Sequence, residues 1–348
     1  MLLREDVPLA PLTTMQVGGP SRYFAEARTA AEAVEAVQFA RAKNLPLLVL
    51  GGGSNLVVSD QGCPGITLKV AISGIRERSE HGKVVFHVGA GEQWDQFVAH
   101  AVARNFAGIE CLSGIPGSVG GTPVQNVGAY GQEVSETIES VLTFDRKHSQ
   151  IRELDNQACG FGYRSSIFNT SERERFIILE VAYALTPGGA AHVDYADLKK
   201  YFADRSNPPT LAETRDAVLK IRASKGMLIT PGDVDCRSAG SFFKNPVLRP
   251  EQYHDLVARA TSRGLQLPTY PALAAQHKVP AAWLVEHSGF SKGYVAGRAG
   301  ISSKHALAIV NLGGATAADI LALKTEIQAR VKQDWGIELE PEPVMVGF

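Results

Sequence analysis

The chain has 348 residues, 45% apolar and 20% charged, which at roughly 150 residues per domain allows two domains, or one with a subdivided first half. Lys and Arg number 35 against 36 Asp and Glu, for a net charge of -1, and without a long block of one sign this argues against a nucleic-acid binder. No stretch is apolar for the roughly 18 residues of a membrane span, so membrane insertion and disorder drop out too.

Met1 to Pro8 carries acids where a secretory signal needs an apolar run, so a cytoplasmic location is expected. Thr29-Ala30-Ala31-Glu32 has the spacing of a capping box, and Ala33, Val34, Val37 and Ala40 recur at helical intervals up to Asn44, predicting a helix. Leu45 to Leu50 is a continuous apolar run and is expected to be a strand buried on both faces. Gly51-Gly52-Gly53-Ser54-Asn55 ends it and joins it to a second strand at Leu56-Val57-Val58-Ser59. Val84 to Gly91 reads as another buried strand with a glycine exit, and Trp94, Val98, Ala101 and Val102 then lie on one helical stripe.

Between Ser113 and Gly131 the sequence is too rich in glycine and proline for a regular element and too apolar for a solvated linker, so it reads as a buried binding loop. Pro208 and Pro209 mark the best domain boundary, near 207. Thr210-Leu211-Ala212-Glu213 opens a helix carried to Ser224, with further helices over Pro250 to Arg263 and Pro280 to Ser288 and a strand from Ala306 to Asn311. A last helix starts at Thr316 and places Ile320, Leu323, Ile327 and Val331 on one face. Cys63, Cys111, Cys159 and Cys236 form no C-x-x-C pair, so buried thiols are expected and no metal site is.

The Gly51 to Asn55 loop suits an anion, because glycines let successive backbone N–H groups face it without a Cβ in the way. It is no Walker loop, lacking Gly-Lys-Ser/Thr, and no dinucleotide fingerprint, because Leu56 stands where Gly or Ala is needed and a strand follows. A tight structural turn and a pyrophosphate cradle both remain open. The second glycine-rich loop, Gly114-Ile115-Pro116-Gly117-Ser118-Val119-Gly120-Gly121, favours the cradle, since two such loops suit a dinucleotide with two phosphates.

Those two loops, with Thr14-Met15-Gln16-Val17-Gly18-Gly19, Gly162-Tyr163-Arg164-Ser165-Ser166-Ile167-Phe168, Ala239-Gly240-Ser241-Phe242-Phe243-Lys244-Asn245-Pro246 and Leu339-Glu340-Pro341-Glu342, resemble in this order the UDP-N-acetylenolpyruvoylglucosamine reductase family. The resemblance implies an α+β chain: a two-subdomain FAD-binding fold of the vanillyl-alcohol-oxidase type over 1–73 and 74–207, then an α+β substrate-binding domain over 208–348 whose last strand carries a catalytic glutamate. It implies an oxidoreductase that takes electrons from NADPH through FAD and reduces the enolpyruvyl ether of a small sugar-nucleotide substrate to the lactyl ether, for peptidoglycan. It places FAD on Gly51, Gly52, Gly53, Ser54, Asn55, Ser113, Gly117, Ser118, Gly120 and Gly121.

Hydride delivered to the terminal carbon of the enol ether leaves negative charge on the neighbouring carbon and its carboxylate. A guanidinium holds a carboxylate in two parallel hydrogen bonds, and the resemblance makes Arg164 that clamp. It makes Ser241 the proton donor and Glu342 the catalytic acid, a role that requires Glu342 to be protonated. Glu340 reads as a surface residue. Tyr130, Tyr163, Tyr195, Lys244 and Asn245 are assigned to substrate binding; for Tyr195, stacking on uracil and packing in a loop are equally open. The approach to Ser241, Lys225 to Ser238, is longer than the family's compact version, which puts its diphosphate contacts in doubt. No His or Cys lies between Leu45 and Asp60, so FAD is expected to be non-covalent. If the glycines serve close approach to FAD, enlarging Gly52 or Gly120 weakens FAD more than folding. The alternatives are a flavin alcohol or sugar oxidase and a non-catalytic flavin or sugar-nucleotide binder.

Overall fold

Thr29 Oγ1 accepts the Glu32 N–H at 3.2 Å, and the helix it caps, Ala30–Ala42, buries Ala33, Ala36, Val37 and Ala40. Such small side chains let a helix lie close over a sheet. The sheet below runs Leu3–Pro8, Pro20–Ala27, Cys63–Val70, Leu47–Leu50, with Cys63–Val70 parallel to both neighbours. The strand expected to be buried on both faces is instead an edge strand, in which only Leu50 is buried. The central place falls to Cys63–Val70, where Ile66, Thr67 and Leu68 are wholly buried.

The computed structural model describes residues 1–80, 82–268, 270–271 and 276–348. The chain forms two units, the first made of 1–7, 21–53 and 63–224, the second of 8–20, 54–62 and 225–348.

The other sheet of the first unit is antiparallel, in the order Gln150–Asp155, Ile138–Asp145, Phe176–Pro187, Lys83–Gly89, Ile75–Glu80. Helix Trp94–Ala103 buries Trp94, Phe97, Val98, Ala101 and Val102. Phe97 lies 5.2 Å from the Tyr183 ring and 5.9 Å from Phe86, which fixes the helix on this sheet, and Trp94 Nε1 donates to the Leu112 carbonyl at 3.0 Å. Helix Leu211–Ser224, expected to open the second domain, belongs to the first unit. It packs there through Leu211 in the main core and through Ala217 and Val218 against Cys111 and Leu198, and Arg215 grips both oxygens of Asp95, at 2.6 and 2.9 Å.

In the second unit, Thr316 and Asp319 exchange backbone-to-side-chain bonds in a full capping box at the head of helix Ala317–Trp335. That helix buries Ile320, Leu323, Ile327 and Val331, and Asp60 accepts the N–H groups of Ala317 and Ala318 at its positive end. Ala299–Ile301 and Ile309–Asn311 form an antiparallel hairpin. The second strand starts later than Ala306 because residues 302–308 form a turn, closed by Ser302 N–H to Ala308 O and Ala308 N–H to His305 O. Val344–Val346 pairs in parallel with Leu56–Val58. Glu342 therefore precedes the last strand and does not lie on it: its own N–H is used on Phe242 O at 2.9 Å. Cys63, Cys111 and Cys159 are buried, and Cys236 is only partly so. Among the described residues no helix is long and apolar enough to cross a membrane.

Candidate active site

In the first unit the two glycine loops touch. A Cβ on Gly52 would stand 2.4 Å from Gly117 Cα, and one on Gly51 would stand 2.7 Å from Ser118 Oγ. Gly53 has φ +67°. The second loop is held to its surroundings by backbone bonds: the N–H groups of Val119, Gly120 and Gly121 go to the carbonyls of Glu92, Ala90 and Ser118. Those three donors are therefore not free for an anion. Ser113 Oγ is likewise used locally, on Glu110 O at 2.6 Å. Ser118 Oγ is buried without a hydrogen-bond partner among the described residues, which costs about 1–3 kcal/mol unless a ligand answers it. A Cβ at Gly121 would meet nothing within 4 Å. An orphan hydroxyl beside an open glycine is what a polar ligand needs.

Asp95, near this loop, accepts the Gly114 N–H as well as the Arg215 fork. Burial pushes its carboxyl up, but Arg215 and the Gly114 N–H outweigh that and hold it below the ordinary carboxylate value.

Tyr163 and Arg164 form the tip of a tight turn between Gly162 and Ser165, which bond to each other in both directions. Arg164 has φ +53°, a left-handed conformation that costs a non-glycine residue about 1–2 kcal/mol. Side chains pin the turn: Asn126 Nδ2 donates to Gly162 O, Ser166 Oγ to Val124 O and Asn169 Nδ2 to Arg164 O. Arg164 Nη2 donates to Gly128 O at 2.6 Å, and its guanidinium lies 5.3 Å from the Tyr163 ring centre. Tyr130, also left-handed at φ +49°, meets Tyr195 edge to face at 5.5 Å. Beneath it the buried Arg222 bonds to Tyr130; burial pulls its guanidinium below the ordinary value, opposed by Tyr130 and Asp95. Arg164, Tyr130, Tyr163 and Tyr195 thus gather around one segment, 124–130. Arg222 and Asp95 carry no motif, and sequence reasoning missed them.

In the second unit the segment around Ser241 runs between two partners. On one side Ser238 bridges Val310, and Phe242 N–H donates to Leu307 O at 2.8 Å. On the other, Phe243 bridges Pro341, and Lys244 N–H donates to Glu340 O at 3.0 Å. This register sets Glu342 beside the Ser241 segment. Ser241 Oγ lies 3.0 Å from His305 Nε2, a neighbour whose only sequence signal is a histidine following Ser302-Ser303-Lys304. Asn55 Nδ2 donates to Glu342 O at 3.3 Å, and Asn55 O accepts Val344 N–H. Ser54 O and Ser238 O both accept from Thr14 Oγ1, at 3.4 and 2.6 Å. Lys244 Nζ pairs with the exposed Glu340 at 2.6 Å, and Asn245 Oδ1 accepts the Ala281 N–H at the start of helix Ala281–Glu286.

The class follows first: residues 21–152 match the family model described as FAD binding domain, and the Ser118 hydroxyl and the open face of Gly121 fit that cofactor. Residues 231–346 match the model for the UDP-N-acetylenolpyruvoylglucosamine reductase C-terminal domain. The chain belongs to the UDP-N-acetylenolpyruvoylglucosamine reductase family. It is 44% identical to the reductase of that name from Thermobifida fusca, with 98% of this chain and 97% of that one covered. It is 45% identical to the one from Streptomyces avermitilis, with 98% and 94% covered. The crystal structure of the reductase from Thermus caldophilus covers 99% of this chain and all of its own, at a TM-score of 0.67 and 26% identity.

Proposed function

We propose that this chain reduces UDP-N-acetylglucosamine enolpyruvate to UDP-N-acetylmuramate in peptidoglycan precursor synthesis, in the cytoplasm, with NADPH as reductant and FAD bound non-covalently. Bound FAD supplies the hydride chemistry between the nicotinamide and the enol ether. The protein's part is to bind, orient and move a proton. Ser118, with the loops Gly51–Asn55 and Gly117–Gly121, is proposed to hold the cofactor. The two sheets of the first unit agree with flavin subdomains at 1–73 and 74–207.

Arg164 is proposed to clamp the substrate carboxylate, where its fork offsets the charge that grows as hydride arrives. The rigid turn supports this, since a pinned guanidinium loses less freedom on binding than a loose one. Tyr130, Tyr163 and Tyr195 would face the sugar nucleotide, while Lys244 and Asn245 would act at the diphosphate. Ser241 is proposed as proton donor to the carbon next to the carboxylate. That carbanion is basic enough to take a proton from an alcohol. Glu342 would act protonated, because an ionised carboxylate would repel the same charge.

The observation that supports this reading is the pairing that lays the Glu342 backbone against Phe242, the residue after Ser241, with Glu342 N–H on Phe242 O. A flavin oxidase or a mere binder has no need of it. The test is Ser241→Ala in rapid mixing. NADPH should still bleach the flavin, and reoxidation by the enolpyruvyl substrate should slow by about 10²–10⁴-fold, the usual loss for a general acid. Equal slowing of both steps, or neither, refutes the role.

A further inference from the structure

We infer that His305 is the positioning residue for the Ser241 hydroxyl, donating from Nε2–H to Oγ so that the serine proton is left free to point at the substrate. The inference rests on the proton-donor reading of Ser241 and extends it to a residue outside the recognised segments.

The contact is 3.0 Å, an ordinary hydrogen bond, and its direction decides its use. If Nε2 accepted, it would draw the hydroxyl proton toward the ring and away from the substrate. If Nε2–H donates, it occupies a lone pair of Oγ and turns the O–H outward. As the proton passes to carbon, the O–H bond breaks, a C–H bond forms, and the electron pair stays on Oγ. A donor already in place then becomes a charge-assisted bond to an alkoxide, which is stronger than the neutral one. Solvent water returns the proton to Oγ, and His305 begins and ends the cycle with Nε2–H in place.

The surroundings fix the backbone that carries the ring. His305 lies in the 302–308 turn, where the buried Ser302 Oγ accepts the N–H groups of both Lys304 and His305, at 3.1 and 3.2 Å. Asp235 accepts Ser303 N–H and Oγ–H at 2.8 and 2.6 Å. Lys304 Nζ reaches Asp233 at 2.6 Å and Asp235 at 3.7 Å. The long approach to Ser241 thus acquires a purpose: its residues 233–236 brace the turn that carries His305. The same turn supplies Leu307 O to Phe242 N–H, so the serine and its partner are fixed from one scaffold.

The experiment compares His305→Gln, whose amide N–H can reach Oγ, with His305→Asn, which is shorter, and His305→Leu, which has no donor. The holoenzymes are followed by stopped flow in each half-reaction. NADPH bleaching should stay within about twofold of the unmodified enzyme in all three. Reoxidation by UDP-N-acetylglucosamine enolpyruvate should slow at least about tenfold in the Asn and Leu variants, up to the roughly 10²–10³-fold attached to losing an oxyanion donor, with partial recovery in Gln. In a Ser241→Ala background the same changes should slow reoxidation no further, because the group they act through is gone. Slowing of equal size in both backgrounds, equal loss in both half-reactions, or reoxidation within twofold in Asn overturns the inference. If Ser241→Ala itself leaves reoxidation intact, both readings fall; if it slows reoxidation and the His305 variants do not, only His305 does. Should the Leu variant fail to fold, the Gln and Asn pair carries the comparison.

Discussion

Gly52 and Gly121 come from paired loops, yet a methyl group added to each meets different matter. At Gly52 it would meet the Gly117 and Ser118 backbone at 2.4–2.8 Å, and at Gly120 the Ala90 Cβ at 2.7 Å. These glycines exist for loop-on-loop and loop-on-sheet contact, so the expectation that enlarging them costs cofactor before fold is reversed. Gly52→Ala should lower the apoprotein melting temperature. Gly121→Ala should leave that temperature unchanged and weaken FAD, read by flavin fluorescence titration; unchanged FAD affinity would move the cofactor off this face. Arg164→Lys keeps the charge but not the fork, so kcat with the enolpyruvyl sugar nucleotide should fall well below that of the unmodified enzyme, and near-normal kcat would make Arg164 a bystander.

The elements show which signals a sequence states openly. Thr29, Thr210 and Thr316 each head a helix as their spacing predicts, and the stripe from Ile320 to Val331 is buried. Capping and periodicity are local, and local rules can be read without a partner. Leu47–Leu50 was misread because sheet order is not local: an edge strand and a central one share the same apolar run. The catalytic candidates were legible as strings, while Asp95, Arg222 and His305 were not, since each acts through a partner far along the chain. Asp95 offers a pH test. Its folded pKa is depressed, so its contribution is fully present above the unfolded value near 3.9 and is lost as pH falls through the folded value. Stability of the unmodified protein should therefore drop on acidification below about pH 4 more steeply than that of Asp95→Asn, measured by urea denaturation across that range. Parallel curves would show that the carboxylate is not held by Arg215.

At the scale of the whole molecule, the proposal that the glycine loops hold FAD by contact alone predicts how the cofactor leaves. Acid precipitation of the holoprotein should leave a yellow supernatant and a colourless pellet; colour kept in the pellet would mean a covalent link. Adding FAD to the apoprotein should raise its melting temperature in step with the logarithm of FAD concentration, as ligand linkage requires. The chain's division was the least legible feature. Two prolines near 207 do punctuate the sequence, but nothing in composition says that 8–20 and 54–62 group with the C-terminal segment.

That grouping has a consequence for how the protein is made. Leu56–Val58 leaves the ribosome with its parallel partner Val344–Val346 still untranslated, and Asp60 waits as long for the helix beginning at Ala317. The second unit therefore cannot close before Val344–Val346 has been made. A cotranslational intermediate must keep two early segments unpaired in an otherwise growing chain, with the apolar Val57 and Val58 uncovered. Long-range parallel pairing of this kind is slow to form and open to aggregation.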